Sequence, residues 1–163
     1  LLTTKGDTHG FDTANARVPI GVDTQVLTAD STEALGLKWG DVVATTQSFI
    51  IACSDEDSDL TTGTKVTWRT PYAFTITGVA ASLTTAATGG TLLTVDINES
   101  GSTILSTKIT IDASETTSTS AATPPVISDS SLADNAEITI DIDAIGSTTA
   151  GQGLKVYIIG TRT

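Results

Sequence analysis

The feature of this sequence that most limits its fold is a series of short aliphatic runs in which every second residue is polar. The clearest run is 137–142, where three isoleucines alternate with Glu137, Thr139 and Asp141. Period-two alternation places the two kinds of side chain on opposite faces of a β-strand, one buried and one facing water. Further runs of this kind lie at 49–53, 65–69, 93–97, 105–111 and 154–158. The pattern therefore predicts an all-β chain.

The composition agrees with strands separated by turns. Thr supplies roughly a fifth of the 163 residues, and β-branched side chains favour the pleated surface of a sheet, whereas Gly and Ser interrupt it. Aromatic residues make up only 4% of the chain, so the core must consist of Ile, Val, Leu and Ala. With a short piece at 125–128, about eight strands follow residue 44. We therefore predict an eight-stranded, jelly-roll-like β-sandwich for residues 45–163.

One predicted strand changes the parity of its apolar residues midway. Phe74 and Ile76 occupy even positions, whereas Val79 and Ala81 occupy odd ones. An extra residue or a bend must intervene if all four are to reach the same core. Gly78 lies at the change of parity, and a glycine inside a strand often marks such an irregularity. The sequence therefore predicts a bulge or bend at Gly78.

Residues 1–44 differ in composition from the rest of the chain. They are rich in Gly, Asp and Thr, and their apolar residues occur as short pieces around Pro19 and at Val26. A segment of this size with so little apolar bulk cannot form an independent core. We predict an extended, strand-poor N-terminal arm that packs on the rest of the chain or on copies of itself. Its expected role is self-association or attachment.

The charge and hydropathy of the chain exclude several classes of function. Its net charge is −11, from 8 basic and 19 acidic residues, so binding to nucleic acid is not expected. No stretch reaches transmembrane length and no secretion signal opens the sequence, so membrane insertion is not expected either. Cys53, which lies in an apolar run, is predicted to be a buried small hydrophobe without a disulfide partner.

The sequence predicts neither catalytic nor cofactor-binding residues. His9 is interpreted as a solvated turn residue, because no nucleophile-elbow pattern accompanies it. Carboxylate pairs such as Asp141 and Asp143 lie on the predicted polar face of a strand, which solvation alone explains. A carbohydrate-active enzyme domain, which would need two such acids, remains an alternative hypothesis.

The acidic segment 55–59 is the sharpest candidate for a metal site. Asp55, Asp57 and Asp59 alternate as carboxylates do at the start of a calcium-binding loop. The remainder of that loop pattern is missing, since Leu60 replaces the turn glycine and Val66 replaces the closing glutamate. We therefore predict an exposed acidic turn and no metal site, with calcium as the alternative.

Four short strings occur in order near the N-terminus: KGD at 5–7, ARVPIG at 16–21, QVLTAD at 25–30 and GLKW at 36–39. This series resembles a module found in fibre and tail proteins of bacteriophages and prophages, where it precedes a receptor-facing or distal domain. The later runs 93–99 and 136–143 are similar to a β domain of phage fibre-type proteins. The resemblance implies a homotrimeric fibre or appendage, and therefore that the self-association of the arm is trimerisation.

This resemblance leads to two related expectations about function. The first is a non-enzymatic virion structural protein, a trimeric tail or head fibre whose distal β-sandwich contacts a host-surface glycan or protein. The second is a capsid decoration protein that binds the shell. In both, the arm binds its own copies or other virion proteins, and the protein lies on the virion exterior after assembly in the host cytoplasm. The residues expected to form the shared apolar core of the arm are Val18, Ile20, Val26, Leu27 and Trp39.

Overall fold

The computed structural model describes residues 8–11, 15–42 and 45–163. These residues form fifteen β-strands and one turn of 3-10 helix, η1 (Ser118–Ser120), and contain no α-helix. Neighbouring strands pair antiparallel throughout. The prediction of an all-β chain is therefore confirmed. The chain divides into two compact units, Leu1–Ala44 and Thr45–Thr163.

The first unit contains two separate hairpins. Strand β1 (Thr8–Phe11) pairs with β2 (Asn15–Val18), and β3 (Gln25–Ala29) pairs with β4 (Leu37–Asp41). These strands correct the prediction of a strand-poor arm. Period-two alternation arises from burial of one strand face, and β3 and β4 contain half-buried and exposed side chains but none that is buried.

The second unit contains eleven strands, most of them in two sheets. The first sheet has the order β11 (Ile109–Ile111), β8 (Leu93–Glu99), β14 (Glu137–Ala144) and β6 (Gly63–Arg69), with β9 (Ser102–Thr103) also on β8. The second sheet has the order β13 (Ser131–Leu132), β7 (Phe74–Ser82), β15 (Lys155–Arg162) and β5 (Thr46–Ala52). The remaining strands, β10 (Leu105–Thr107) and β12 (Val126–Ile127), pair with each other. About eight strands were predicted; the difference arises because run 105–111 is divided and because β9 and β13 are only two residues long.

Both sheets contribute side chains to one hydrophobic core. In β14 the three isoleucines of run 137–142 are fully buried, while Thr139 and Asp141 on the other face keep partial exposure. In β15, Val156 and Ile158 are likewise buried. The predicted alternation of buried and exposed residues is confirmed in both strands.

The predicted irregularity at Gly78 is confirmed. Gly78 lies opposite Ile159 of β15, but the next pair joins Ile76 to Gly160, so Thr77 is the extra residue of a β-bulge. Because of this bulge, the apolar side chains on both sides of it face the same core.

Candidate functional site

Residues of the ARVPIG string at 16–21 contact Trp39 of the GLKW string at 36–39. The indole nitrogen Nε1 of Trp39 donates a hydrogen bond of 2.8 Å to the carbonyl oxygen of Pro19. A Cβ atom on Gly21 would lie 2.6 Å from Cδ2 of the same ring, so the indole lies directly on this glycine. Only a glycine at position 21 lets the indole ring come so close, which explains why Gly21 and Trp39 occur together. The KGD string at 5–7 lies outside the described residues.

The turn that joins β3 to β4 is fixed by side-chain hydrogen bonds. Asp30 Oδ1 accepts bonds of 2.6 Å from the hydroxyl and 2.9 Å from the backbone nitrogen of Thr32. These bonds, together with Lys38 Nζ at 3.6 Å from Oδ2, hold the pKa of Asp30 below its usual value. Gly36 completes the turn with a φ of +66°, a conformation that favours glycine. The hairpin is therefore held by local polar contacts.

The apolar side chains of this hairpin region lie largely in solvent. Four of the seven exposed large hydrophobic residues in the described part of the chain belong to the first unit, and Val22 is 70% exposed. Contiguous exposed apolar patches are characteristic of surfaces that contact a partner, and these four residues all lie between positions 20 and 42. We call the four residues the arm surface: Ile20, Val22, Val26 and Val42.

The predicted shared core of the arm agrees only in part with the arm surface. Among the five predicted residues, Ile20 and Val26 are exposed, Leu27 and Trp39 are half-buried, and Val18 is buried. Sequence reasoning missed Val22 and Val42. Val22 directly follows the ARVPIG string, and this position was the available signal. Val42 stands beside Asp41 at the end of β4 without a comparable signal.

His9 and Cys53 are residue types that often carry chemistry. His9 lies in β1 opposite Arg17, which corrects its assignment to a turn. Gly10 favoured the turn, but antiparallel pairing with β2 extends through both residues. Cys53 is buried as predicted, and its burial raises the pKa of the thiol to about 11. The thiol is therefore protonated and unreactive near neutral pH.

The three calcium candidates take part in contacts within the chain. Asp55 Oδ1 accepts a hydrogen bond of 2.7 Å from the backbone nitrogen of Ser58, and Oδ2 accepts one of 3.0 Å from its hydroxyl, which lowers the pKa of Asp55. Gln152 Nε2 donates to the carbonyl oxygen of Asp57 at 2.9 Å and to Asp59 Oδ1 at 3.1 Å. In residues 8–11, 15–42 and 45–163, no group of three or more His, Cys, Asp or Glu residues is arranged to hold a metal ion.

Asp96 is buried, contrary to its predicted position on a wet face. Its side chain is only 7% exposed, and Oδ1 accepts hydrogen bonds of 2.6 Å from the hydroxyl of Thr103 and 2.9 Å from the backbone nitrogen of Ile97. Lys108 Nζ lies 2.9 Å from Oδ2. Lys108 lies at the break between β10 and β11, and Thr103 belongs to β9. Asp96 is therefore covered by β9 and by the break between β10 and β11, two features that the alternation of apolar residues did not predict.

Asp141 and Asp143, the carboxylate pair considered for glycosidase chemistry, bind different partners. Asp143 Oδ2 lies 2.5 Å from Lys108 Nζ, and the hydrogen bonds that Lys108 donates to Asp143 and then to Asp96 raise the pKa of Lys108. Asp141 Oδ2 accepts a hydrogen bond of 2.6 Å from Asn98 Nδ2. Each carboxylate therefore has a structural contact of its own on the outer face of the first sheet.

No family model, no curated protein and no solved structure matches the chain. In the described part of the chain, none of the helical segments has the length and apolar character needed to span a membrane.

Proposed function

We propose that this chain is a non-enzymatic structural protein of a bacteriophage particle, a homotrimeric tail or head fibre component on the virion exterior. The observation that supports the proposal most is the arm surface, which leaves four large apolar side chains in solvent. A two-stranded hairpin is at best marginally stable alone in water. Copies of the arm that bury these side chains against one another supply the core that a single copy lacks. The resemblance of the strings at 16–39 to a fibre and tail module agrees with this role.

The proposal assigns a jelly-roll sandwich to residues 45–163 and makes it the distal domain that contacts a host glycan or protein. The strand order supports this assignment. If β5, β6, β7, β8, β11, β13, β14 and β15 are numbered one to eight, the second sheet has the order 6-3-8-1 and the first has 5-4-7-2. In a jelly roll, eight strands form two such sheets through two Greek keys.

The proposed assembly is tested by sedimentation of the purified full chain at micromolar concentration. We expect a species of three times the chain mass of 16.6 kDa. Val22→Asp should shift the protein towards monomer, because it places a charge on the arm surface. Val126→Asp is the matched control, since Val126 is also exposed, at 50%, but lies in β12. A well-folded wild-type monomer would contradict the proposal.

The location of the protein is tested by imaging the intact particle with the chain labelled. A fibre component gives density that projects from the tail or head. Density that caps the capsid lattice would instead identify a decoration protein whose arm binds the shell.

A further inference from the structure

The outer faces of the two sheets differ in charge. Alternation along the strands and their pairing define the residues of each face. The outer face of the first sheet is strongly charged and carries Arg69, Asp96, Glu137, Asp141 and Asp143. On the outer face of the second sheet, the described strand residues include a single charged one, Lys155. A sheet face with a single charged strand residue contrasts with the net charge of −11 of the chain.

Apolar and small side chains occupy the centre of this outer face of the second sheet. Ile50 of β5 pairs with Tyr157 of β15, which pairs in turn with Ala80 of β7. In the next row, Ile159 lies between Ser48 and Gly78. Ile50 is 63% exposed. We call this area the second-sheet face, and its central residues are Ile50, Ala52, Ala80, Tyr157 and Ile159.

The hydroxyl of Tyr157 and the ammonium group of Lys155 on the second-sheet face are already paired within the chain. The hydroxyl of Tyr157 shares a hydrogen bond of 3.0 Å with the hydroxyl of Ser82. Lys155 Nζ forms an ion pair with the carboxylate of Glu56, and the hydrogen bond from Lys155 is the main cause of the lowered pKa of Glu56. The face can therefore contact an apolar partner without leaving these polar groups unsatisfied.

The edge of the same sheet lacks the features that prevent association. Among the described strands, β5 pairs only with β15, so its other edge is open. Its seven residues include neither a charged residue nor a proline. Natural proteins use such residues to protect exposed edge strands. The second-sheet face thus continues to an unprotected edge.

Charge determines which partner fits this surface. Two copies of a chain with a net charge of −11 repel one another, and this repulsion is smallest when they meet through a surface without unpaired acidic groups. The second-sheet face is such a surface, because the carboxylate of Glu56 beside it is already paired with Lys155, so a basic partner would find no unpaired carboxylate there.

Chain connectivity also favours a second copy. Strand β4 ends at Asp41 and β5 begins at Thr46, five residue steps later. A chain spans at most about 3.8 Å per step, so β5 starts within about 19 Å of the end of β4, whatever arrangement the two units take. Copies that assemble through the arm surface therefore keep their β5 strands close together.

We propose that a second copy of this chain packs on the second-sheet face, so that the homotrimer has an interface in residues 45–163 as well as in the arm. The inference rests on the proposed function, because it assumes that the chain assembles. It adds the surface through which the β domains meet.

The test compares the rate of maleimide labelling of Ile50→Cys and Val126→Cys in the assembled full chain. The two positions are 63% and 50% exposed in a single copy, so they label at similar rates unless a partner covers one of them. Wild-type protein is the blank, since its Cys53 is buried. We expect labelling at position 50 to be at least tenfold slower than at position 126.

Sedimentation of the same samples separates the possible failures. An assembled protein that labels equally fast at both positions overturns the inference and leaves the proposed function standing. A monomer that labels equally fast at both positions contradicts both proposals. A monomer that is protected at position 50 also overturns the inference, because the cover is then part of the same chain.

A second variant uses charge in place of labelling. Ile50→Asp should raise the concentration at which half of the protein is assembled by at least tenfold relative to Val126→Asp. Circular dichroism verifies that both variants are folded. Equal assembly of the two folded variants would overturn the inference.

Discussion

The carboxylate of Asp96 accepts hydrogen bonds from Thr103, Ile97 and Lys108 while almost fully buried. Asp96→Ala should therefore lower the free energy of unfolding by about 2–3 kcal/mol, because it leaves the buried backbone nitrogen of Ile97 and the part-buried hydroxyl of Thr103 without this acceptor. Asp143→Ala is the control: Asp143 contacts the same lysine but is 38% exposed, so we expect a loss below about 1 kcal/mol. Urea unfolding at neutral pH measures both. Equal losses would show that the Asp96 contacts add no stability.

Ile140 lies in the centre of β14 with no exposed surface. Ile140→Ala should cost about 2–5 kcal/mol, because the truncated side chain leaves a cavity in a close-packed interior. Thr139→Ala, on the opposite face of the same strand, should cost less than about 1 kcal/mol. Denaturant unfolding of the pair checks the strand register, and a larger loss for the threonine variant would contradict it.

At the residue scale, strand parity predicted which side chains enter the core but not which polar ones are buried. Ile140 and Val156 are buried as their alternation indicates. Asp96 shares the parity of an exposed residue, yet Thr103 and Lys108 cover it. Parity assigns a side chain to one face of a sheet, whereas its burial also depends on segments that cross that face.

At the element scale, the bulge in β7 requires glycine on the neighbouring strand. A Cβ atom on Gly160 would lie 2.7 Å from Cε1 of Phe74 and 2.9 Å from Cα of Ile76. Gly160→Ala should therefore destabilise the protein by about 1–3 kcal/mol through overpacking. Gly78→Ala is the matched control, since its Cβ would meet only Ile159 Cβ at 4.0 Å, and it should cost less. Thermal unfolding distinguishes them; an equal or larger loss for Gly78→Ala would contradict the bulge geometry.

The acidic segment 55–59 should respond little to calcium. Asp55 already accepts hydrogen bonds from Ser58, and Gln152 contacts Asp57 and Asp59. We expect the Tm to differ by less than about 2 °C between excess calcium and chelator, because a ligand stabilises a fold only when it binds the native state preferentially. A larger stabilisation by calcium that is lost in Asp57→Ala would contradict this expectation.

Elements with a parity signal were predictable, and elements held by local contacts were not. The bulge was visible because the apolar parity changes at Gly78. The break at Lys108 was hidden because Leu105, Ile109 and Ile111 keep one parity across it. The β3–β4 hairpin was missed because hydrogen bonds of Asp30 and Thr32 fix its turn. Polar turn contacts leave no periodic trace in a sequence.

At the scale of the whole molecule, the sequence supplied the net charge but not its distribution. The contrast between the charged face of the first sheet and the second-sheet face depends on which strands are neighbours. Tyr157 and Ile50, for example, lie 107 residues apart in the sequence and form one row of the second sheet. Ile20 and Val26 of the arm surface were predicted because they lie within the strings at 16–21 and 25–30. Val22 and Val42 lie outside these strings.

The charge distribution leads to a prediction about salt. If copies with a charge of −11 meet through uncharged surfaces, repulsion between them is the electrostatic term that opposes assembly. The screening length falls from about 30 Å at 0.01 M salt to about 8 Å at 0.15 M, so added sodium chloride should increase the assembled fraction. Sedimentation at one protein concentration measures this fraction.

Sodium sulfate at the same ionic strength is the control for this salt effect. Screening depends on ionic strength, whereas sulfate also strengthens apolar burial. Equal responses to the two salts identify charge repulsion as the cause. If assembly weakened as salt was added, the copies would be joined by ion pairs. The second-sheet face would then be the wrong interface, and the charged face of the first sheet, with Lys108 between Asp96 and Asp143, would become the surface to test.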